Sequence, residues 1–237
     1  MEKAFLFPGQ GSQFIGMAKD LFDEFQFAKD RFKQAENILG YNLAEIAFEG
    51  PDHILKQTQF TQPSIFVHSV IINDFLSTKG IFPSAVAGHS LGEFSALFSA
   101  EVLSFEDTLS IVKVRANEMA KAGDLQPGSM AVILGADQNQ LEIICNQKGI
   151  VVPANLNAPG QVVISGEVNS VANAIKIAKD IGIRRTMLLN VSGAFHSPLM
   201  IPARVPLLKA LNSVNFKDAK VPIYQNFSAE PVTESDE

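Results

Sequence analysis

VAGHSLGEFSA, residues 86–96, sets one serine between two glycines, and how it is read decides the fold. Ser84 to Gly88 is a short run of small and apolar residues that predicts a buried strand, and Gly92 to Ala100 has the residues of a buried helix. Ser90 therefore falls at a strand-to-helix turn. In that context Gly88-His89-Ser90-Leu91-Gly92 fits a nucleophile elbow, which raises a hydroxyl at a strand's end with a helix N-terminus behind it. The pattern also arises by chance, so its partners must come from elsewhere in the chain.

Working outward, Ala4 to Phe7 predicts a strand that runs into a glycine-rich turn, Pro8 to Ser12. Leu21, Phe22, Phe25, Ala28, Phe32 and Ala35 recur at helical spacing between Met17 and Leu39, with room for a break. Pro63 is expected in the first turn of a helix from Ser64 to Lys79, closed by Gly80. A further helix, Phe105 to Ala122, carries Arg115. After Pro127-Gly128 the rhythm changes to strand 129–134, helix 138–148, strands 150–154 and 161–165, helix 168–181 and strand 184–189. That β-α-β-β-α-β order is the ferredoxin-like unit. The expected fold class is thus α/β: a core of residues 1–127 and 192–237, with an inserted α+β subdomain at 128–191. A helix from Leu199 to Leu211 and a strand from Val221 to Phe227 follow, and then an acidic, polar end with no further element expected.

Composition narrows the class. Apolar residues make up 46% of the 237 and charged ones 19%, as in globular proteins. The apolar runs, such as Ile65 to Ile72, fall short of the roughly 18 residues of a membrane span. The N-terminal MEKAFLFPGQ lacks the pattern of a secretory signal, which predicts a cytoplasmic protein. A net charge of -6 argues against a nucleic-acid partner. The single Cys145 excludes an intramolecular disulfide and a thiolate metal cluster, and is expected to be buried filler. No metal site and no cofactor are expected.

A serine attacks a carbonyl only when a base takes its proton and donors hold the oxyanion. His89 adjoins Ser90 on the turn and is a poor direct base, while His53 and His68 sit in settings that suit solvated or structural roles. His196 lies in the loop that closes the inserted subdomain, where the chain can return toward the serine. The N–H of Leu91 is the expected first oxyanion donor. Gln10, between two glycines, offers a second backbone N–H, unless Pro8 to Ser12 is only a turn. Arg115, on a helix lined with Ile111, Val112, Val114 and Met119, either grips a carboxylate in two-point fashion or is a partly exposed helix arginine.

In this order PGQGSQ, GHSLGEFSAL, the arginine of VKVRANEMA, NAPGQVVISG and GAFHSPLM closely resemble the malonyl-CoA:acyl carrier protein transacylases of fatty acid synthesis, over essentially the whole chain. The resemblance implies a hydrolase-like parallel-sheet core with a ferredoxin-like insertion. It implies that Ser90 takes malonyl from malonyl-CoA as an ester, that His196 shuttles the proton, and that Gln10 and Leu91 hold the oxyanion. Arg115 would clamp the malonyl carboxylate, Asn155 would border the substrate, and Phe195, before the histidine, would favour malonyl over methylmalonyl. The acceptor would be the phosphopantetheine thiol of acyl carrier protein, and the enzyme a monomer.

Family members continue some tens of residues further, through a glutamine segment whose carbonyl orients the histidine, and Ala116 replaces a common glycine. The expectation is a C-terminally short chain that folds approximately and is impaired as a catalyst. For an acidic carrier the inserted subdomain offers Lys176, Lys179, Arg184 and Arg185. A serine hydrolase or thioesterase using the same residues, and a carrier-binding fragment without catalysis, are the competing expectations.

Overall fold

A computed structural model describes residues 2–236. In chain order it contains β1 (Ala4–Phe7), α1 (Lys19–Glu24), α2 (Gln26–Leu39), α3 (Leu43–Glu49), α4 (Asp52–Leu55), α5 (Thr58–Thr78), β2 (Ala85–Gly88), α6 (Gly92–Ser99) and α7 (Phe105–Leu125). Then come β3 (Gly128–Leu134), α8 (Gln138–Cys145), β4 (Val151–Ala158), β5 (Gln161–Glu167), α9 (Val168–Asp180) and β6 (Arg185–Leu188). A short 3-10 turn (Pro198–Met200) leads to α10 (Ile201–Leu211), β7 (Ile223–Tyr224) and β8 (Pro231–Val232). The chain divides into two compact units, residues 1–117 with 207–237, and residues 118–206.

The first unit is built on a sheet of order β1-β2-β7-β8, with β1, β2 and β7 parallel and β8 antiparallel. Phe7 lies opposite Gly88, so the turns after β1 and β2 leave the sheet at the same end. In open α/β sheets this carboxyl end is where ligands bind. Phe25 takes extended backbone, φ -118° and ψ 130°, and separates α1 from α2. α2 then buries Ala28, Phe32, Ala35 and Leu39, one face at helical spacing, against α5. Phe32 meets Phe22 and Phe48 edge-on at 5.6 and 5.0 Å. Burial of such a ring contributes roughly 1.5–3 kcal/mol.

α5 begins at Thr58, six residues before the predicted start, so Pro63 lies inside the helix and not at its first turn. Proline has no N–H to give the carbonyl four residues back, that of Gln59. The Tyr41 hydroxyl donates to that oxygen instead, at 3.2 Å. A local rule about proline was offset by a tertiary partner.

The second unit carries an antiparallel sheet of order β4-β5-β3-β6, with α8 and α9 supplying the helices of the β-α-β-β-α-β order. β5 is buried along five successive residues, Val162 to Gly166, because both of its faces are covered. Ile133, Val162 and Ile164 pack with Leu141, Ile144, Val171 and Ala174 on one side. Met130 and Val163 pack with Met119, Ala122, Phe195 and Ala203 on the other. α8 opens with a capping box between Asp137 and Gln140.

Past α10 the expectation of one long final strand is corrected. β7 is two residues long and is paired on both sides, with β2 and with β8, and β8 lies in the segment read as having no further element. The turn between them closes through Gln225 N–H to Glu230 O at 3.2 Å. Two-residue strands, one following Pro222 and the other opening on Pro231, carry no alternation that a periodicity reading could detect.

Candidate active site

Ser90 has φ 52°, in the left-handed region. For a residue with a side chain that conformation costs roughly 1–2 kcal/mol. Its neighbours show what enforces it. The His89 N–H bonds the Phe7 carbonyl at 2.9 Å, and Gly92 and Glu93 N–H turn back to the carbonyls of His89 and Ser90 at 2.9 and 3.2 Å. Gly92 passes so close to β1 that an added Cβ would collide with the Phe7 carbonyl oxygen and sit 2.9 Å from that of Pro8. Gly9 abuts His89 in the same way, with 2.8 Å to Nδ1. Gly9 and Gly92 are thus required by close backbone approach. Together they press the Pro8–Ser12 turn, and with it Gln10, against the elbow. Leu91, 1% exposed, stands at the N-cap position of α6, where a first-turn N–H has no intrahelical acceptor.

Arg115 is 8% exposed and is bonded at two points. One guanidinium nitrogen donates to Gln62 Oε1 at 2.7 Å and another to Ser90 Oγ at 3.0 Å. Its Cζ also lies over the Phe94 ring, 5.6 Å from the centroid. The partly exposed alternative for this arginine is therefore not what the structure has. Burial pushes its pKa down to about 10, opposed by the Glu93 carboxylate, so the cation persists at neutral pH. Burial likewise pushes the Glu93 carboxyl upward, against the pull of the Asn226 N–H and the Arg115 charge.

Three residues at this site carried no role in the sequence reading. Gln62, 1% exposed on α5, anchors Arg115. Thr58 Oγ1, one turn earlier, accepts a long 3.4 Å hydrogen bond from Gln10 Nε2. Asn226, just beyond β7, accepts the Ser90 N–H on Oδ1 at 2.7 Å and donates from Nδ2 to the Gly88 carbonyl at 2.5 Å. The usable signal was a polar stripe, Thr58, Thr61 and Gln62, buried at the start of a mostly apolar helix.

The second unit carries the remaining candidates. His196 is exposed, with φ 58°, between two buried residues, Phe195 and Ser197. Ser197 Oγ donates to the Ala194 carbonyl at 2.6 Å and accepts the Leu199 N–H at 3.2 Å, which fixes the loop on either side of the imidazole. Asn155 lies on β4 at a register irregularity after Pro153. Lys176, Lys179, Arg184 and Arg185 are all exposed. Cys145 is half-buried, and burial pushes its thiol pKa up. His68 packs edge-on to Phe14, and burial lowers its pKa, as suits a structural role. Among the described residues no group of three or more His, Cys, Asp or Glu could hold a metal ion, and no helix is long and apolar enough to cross a membrane.

Residues 4–236 match the acyl transferase domain family. The malonyl CoA-acyl carrier protein transacylase of Bacillus subtilis (strain 168) is 43% identical over 98% of this chain and 74% of its own length. The solved structure of the malonyl CoA-acyl carrier protein transacylase from Coxiella burnetii superposes with a TM-score of 0.94 at 36% identity, over 100% of this chain and 76% of that one. A malonyl-transacylase, solved in complex with a type II polyketide-synthase acyl carrier protein, gives 0.93 at 37% identity, over 100% and 78%. With an elbow serine tied to a buried arginine, and relatives of this identity over nearly its whole length, the chain belongs to the malonyl-CoA:acyl carrier protein transacylase family.

Proposed function

We propose that this enzyme transfers malonyl from malonyl-CoA to the phosphopantetheine thiol of acyl carrier protein, in fatty acid biosynthesis, through an ester on Ser90. The observation that carries the reading is the buried guanidinium of Arg115 bonded to the nucleophile's own oxygen. A hydrolase of neutral esters has no use for a buried cation there, whereas a malonyl group brings a carboxylate that a guanidinium fork fits.

In the first half-reaction Ser90 Oγ attacks the thioester carbonyl while His196 takes its proton. The oxyanion is held by the N–H groups of Leu91 and Gln10. The carbonyl re-forms, the carbon–sulfur bond breaks, and His196 gives the proton to the leaving CoA thiolate. In the second, His196 accepts the proton of the carrier's thiol, sulfur attacks the ester, and Ser90 leaves with that proton. No cofactor takes part in these steps. Arg115 stays paired with the malonyl carboxylate throughout, Asn155 borders the substrate, and Phe195 removes room for an α-methyl group. A filter of one methyl is worth only roughly 1–3 kcal/mol.

The reading places the catalytic core in 1–127 and 192–237 with 128–191 as its ferredoxin-like insertion, and the reaction in the cytoplasm. Incubation with malonyl-, acetyl- and methylmalonyl-CoA, followed by peptide mapping, tests it. The expected result is a malonyl adduct on the peptide containing Ser90, absent in Ser90→Ala and weaker with the other donors. An adduct elsewhere, or none, rejects the reading.

A further inference from the structure

Ser90 is held in a backbone conformation that its side chain disfavours: Gly92 and Glu93 N–H return to the carbonyls of His89 and Ser90 on its downstream side, and the His89 N–H reaches the Phe7 carbonyl on its upstream side. The Ser90 N–H itself is taken from 136 residues away. Asn226 spends both ends of one carboxamide there: Oδ1 accepts the N–H of the nucleophile at 2.7 Å, and Nδ2 donates to the carbonyl of Gly88, two residues before it, at 2.5 Å. Its own N–H donates to Glu93 Oε1 at 2.9 Å, which ties the strap to the first turn of α6. Asn226 as a residue is exposed, but its amide reaches the buried Gly88.

We infer that Asn226 is a positioning residue, a carboxamide strap that sets the backbone of Ser90 so that its hydroxyl and the following N–H meet the thioester in one orientation. The inference rests on the transacylase reading of Ser90. Three features argue for it. The two bonds take the peptide groups on either side of His89, so the amide that enters the nucleophile is fixed from outside the elbow. A carboxamide is the group that can accept from one amide and donate to a carbonyl at once, which neither aspartate nor leucine can do. The strap's hydrogen bonds are also distinct from those of the carboxylate clamp: neither Arg115 nor Gln62 is among these partners of Asn226, and the two sets meet at different atoms of Ser90, its N–H and its Oγ.

The separation makes the test specific. In the full chain, Asn226→Leu removes both bonds at similar volume, and Asn226→Asp keeps the acceptor while turning the donor into a second acceptor facing the Gly88 carbonyl. Rates of Ser90 malonylation are measured by single-turnover mass spectrometry across malonyl-CoA concentrations, beside the melting temperature. Misplacing a reacting group by about 1 Å costs on the order of 100-fold, so Asn226→Leu is expected to lower the maximal acylation rate by roughly that factor, and Asn226→Asp by about tenfold or more. The malonyl-CoA concentration for half-maximal rate should stay within about threefold, because the clamp that binds the carboxylate is intact. A maximal rate unchanged in Asn226→Asp overturns the strap, as does a loss in either variant that lies wholly in the half-maximal concentration. If Asn226→Leu fails to fold, Asn226→Asp alone decides. An unsubstituted protein that never acylates Ser90 rejects the transacylase reading itself, whereas acylation at full rate in both variants rejects only the strap.

Discussion

At the residue scale the informative group is Arg115. Charge-assisted hydrogen bonds contribute about 1.5–3 kcal/mol each. Arg115→Ala should therefore lower kcat/KM for malonyl-CoA by about 100-fold or more, with a far smaller effect on acetyl-CoA, which has no carboxylate; steady-state kinetics with the two donors check this. Gln62→Leu leaves the cation but frees its far side, and the expected loss is about tenfold for malonyl-CoA. The elbow glycines answer to stability. Gly92→Ala drives a methyl into the Phe7 carbonyl, and overpacking of this kind costs typically 1–3 kcal/mol, read as a lower denaturation midpoint. Ser90, Leu91 and Arg115 were legible as candidates because each announces itself locally, through a motif, a position after it, or a charge among apolar neighbours. Gln62 and Asn226 were not, since a carboxamide has no chemistry until its partners are known, and Asn226 meets Ser90 across 136 positions.

At the scale of elements, α5 shows why one boundary was misplaced while most were found. The periodic helices α2, α7 and α9 bury a stripe that spacing reveals, but the start of α5 depends on Tyr41 replacing the donor that Pro63 lacks. Tyr41→Phe removes that donor, and leaving this part-buried carbonyl unpaired costs on the order of 1 kcal/mol. With Pro63→Ala in place the N–H returns, and the same tyrosine substitution should then cost little. A double-mutant cycle of denaturation midpoints is expected to give a coupling above about 0.5 kcal/mol. Tyr41 also predicts a pH dependence. Burial raises its pKa in the folded state above the ordinary tyrosine value of 10, so the folded protein holds the phenolic proton more tightly than the unfolded chain does. This contribution is complete below pH about 10 and declines as pH rises beyond it. Tyr41→Phe should flatten the alkaline fall in stability measured by urea titration.

For the whole molecule the β-α-β-β-α-β order was legible because each strand and helix keeps its own period, whereas the two-residue β7 and β8 are defined by pairing alone. The exposed cations of the second unit belong to this scale. Lys179→Glu with Arg185→Glu should raise KM for acyl carrier protein several-fold and leave malonyl-CoA loading unchanged, since docking of an acidic partner depends on local charge. Equal loss in both half-reactions, measured separately, would remove that face as the docking surface. Cys145, finally, has a practical bearing on chemistry done with this chain. It is the one thiol in the sequence, and, half-buried, it resists ionisation. Thiol-directed reagents at neutral pH should therefore react slowly, and an acyl mass found on the protein can be assigned to oxygen by its persistence under mild hydroxylamine, which strips thioesters first.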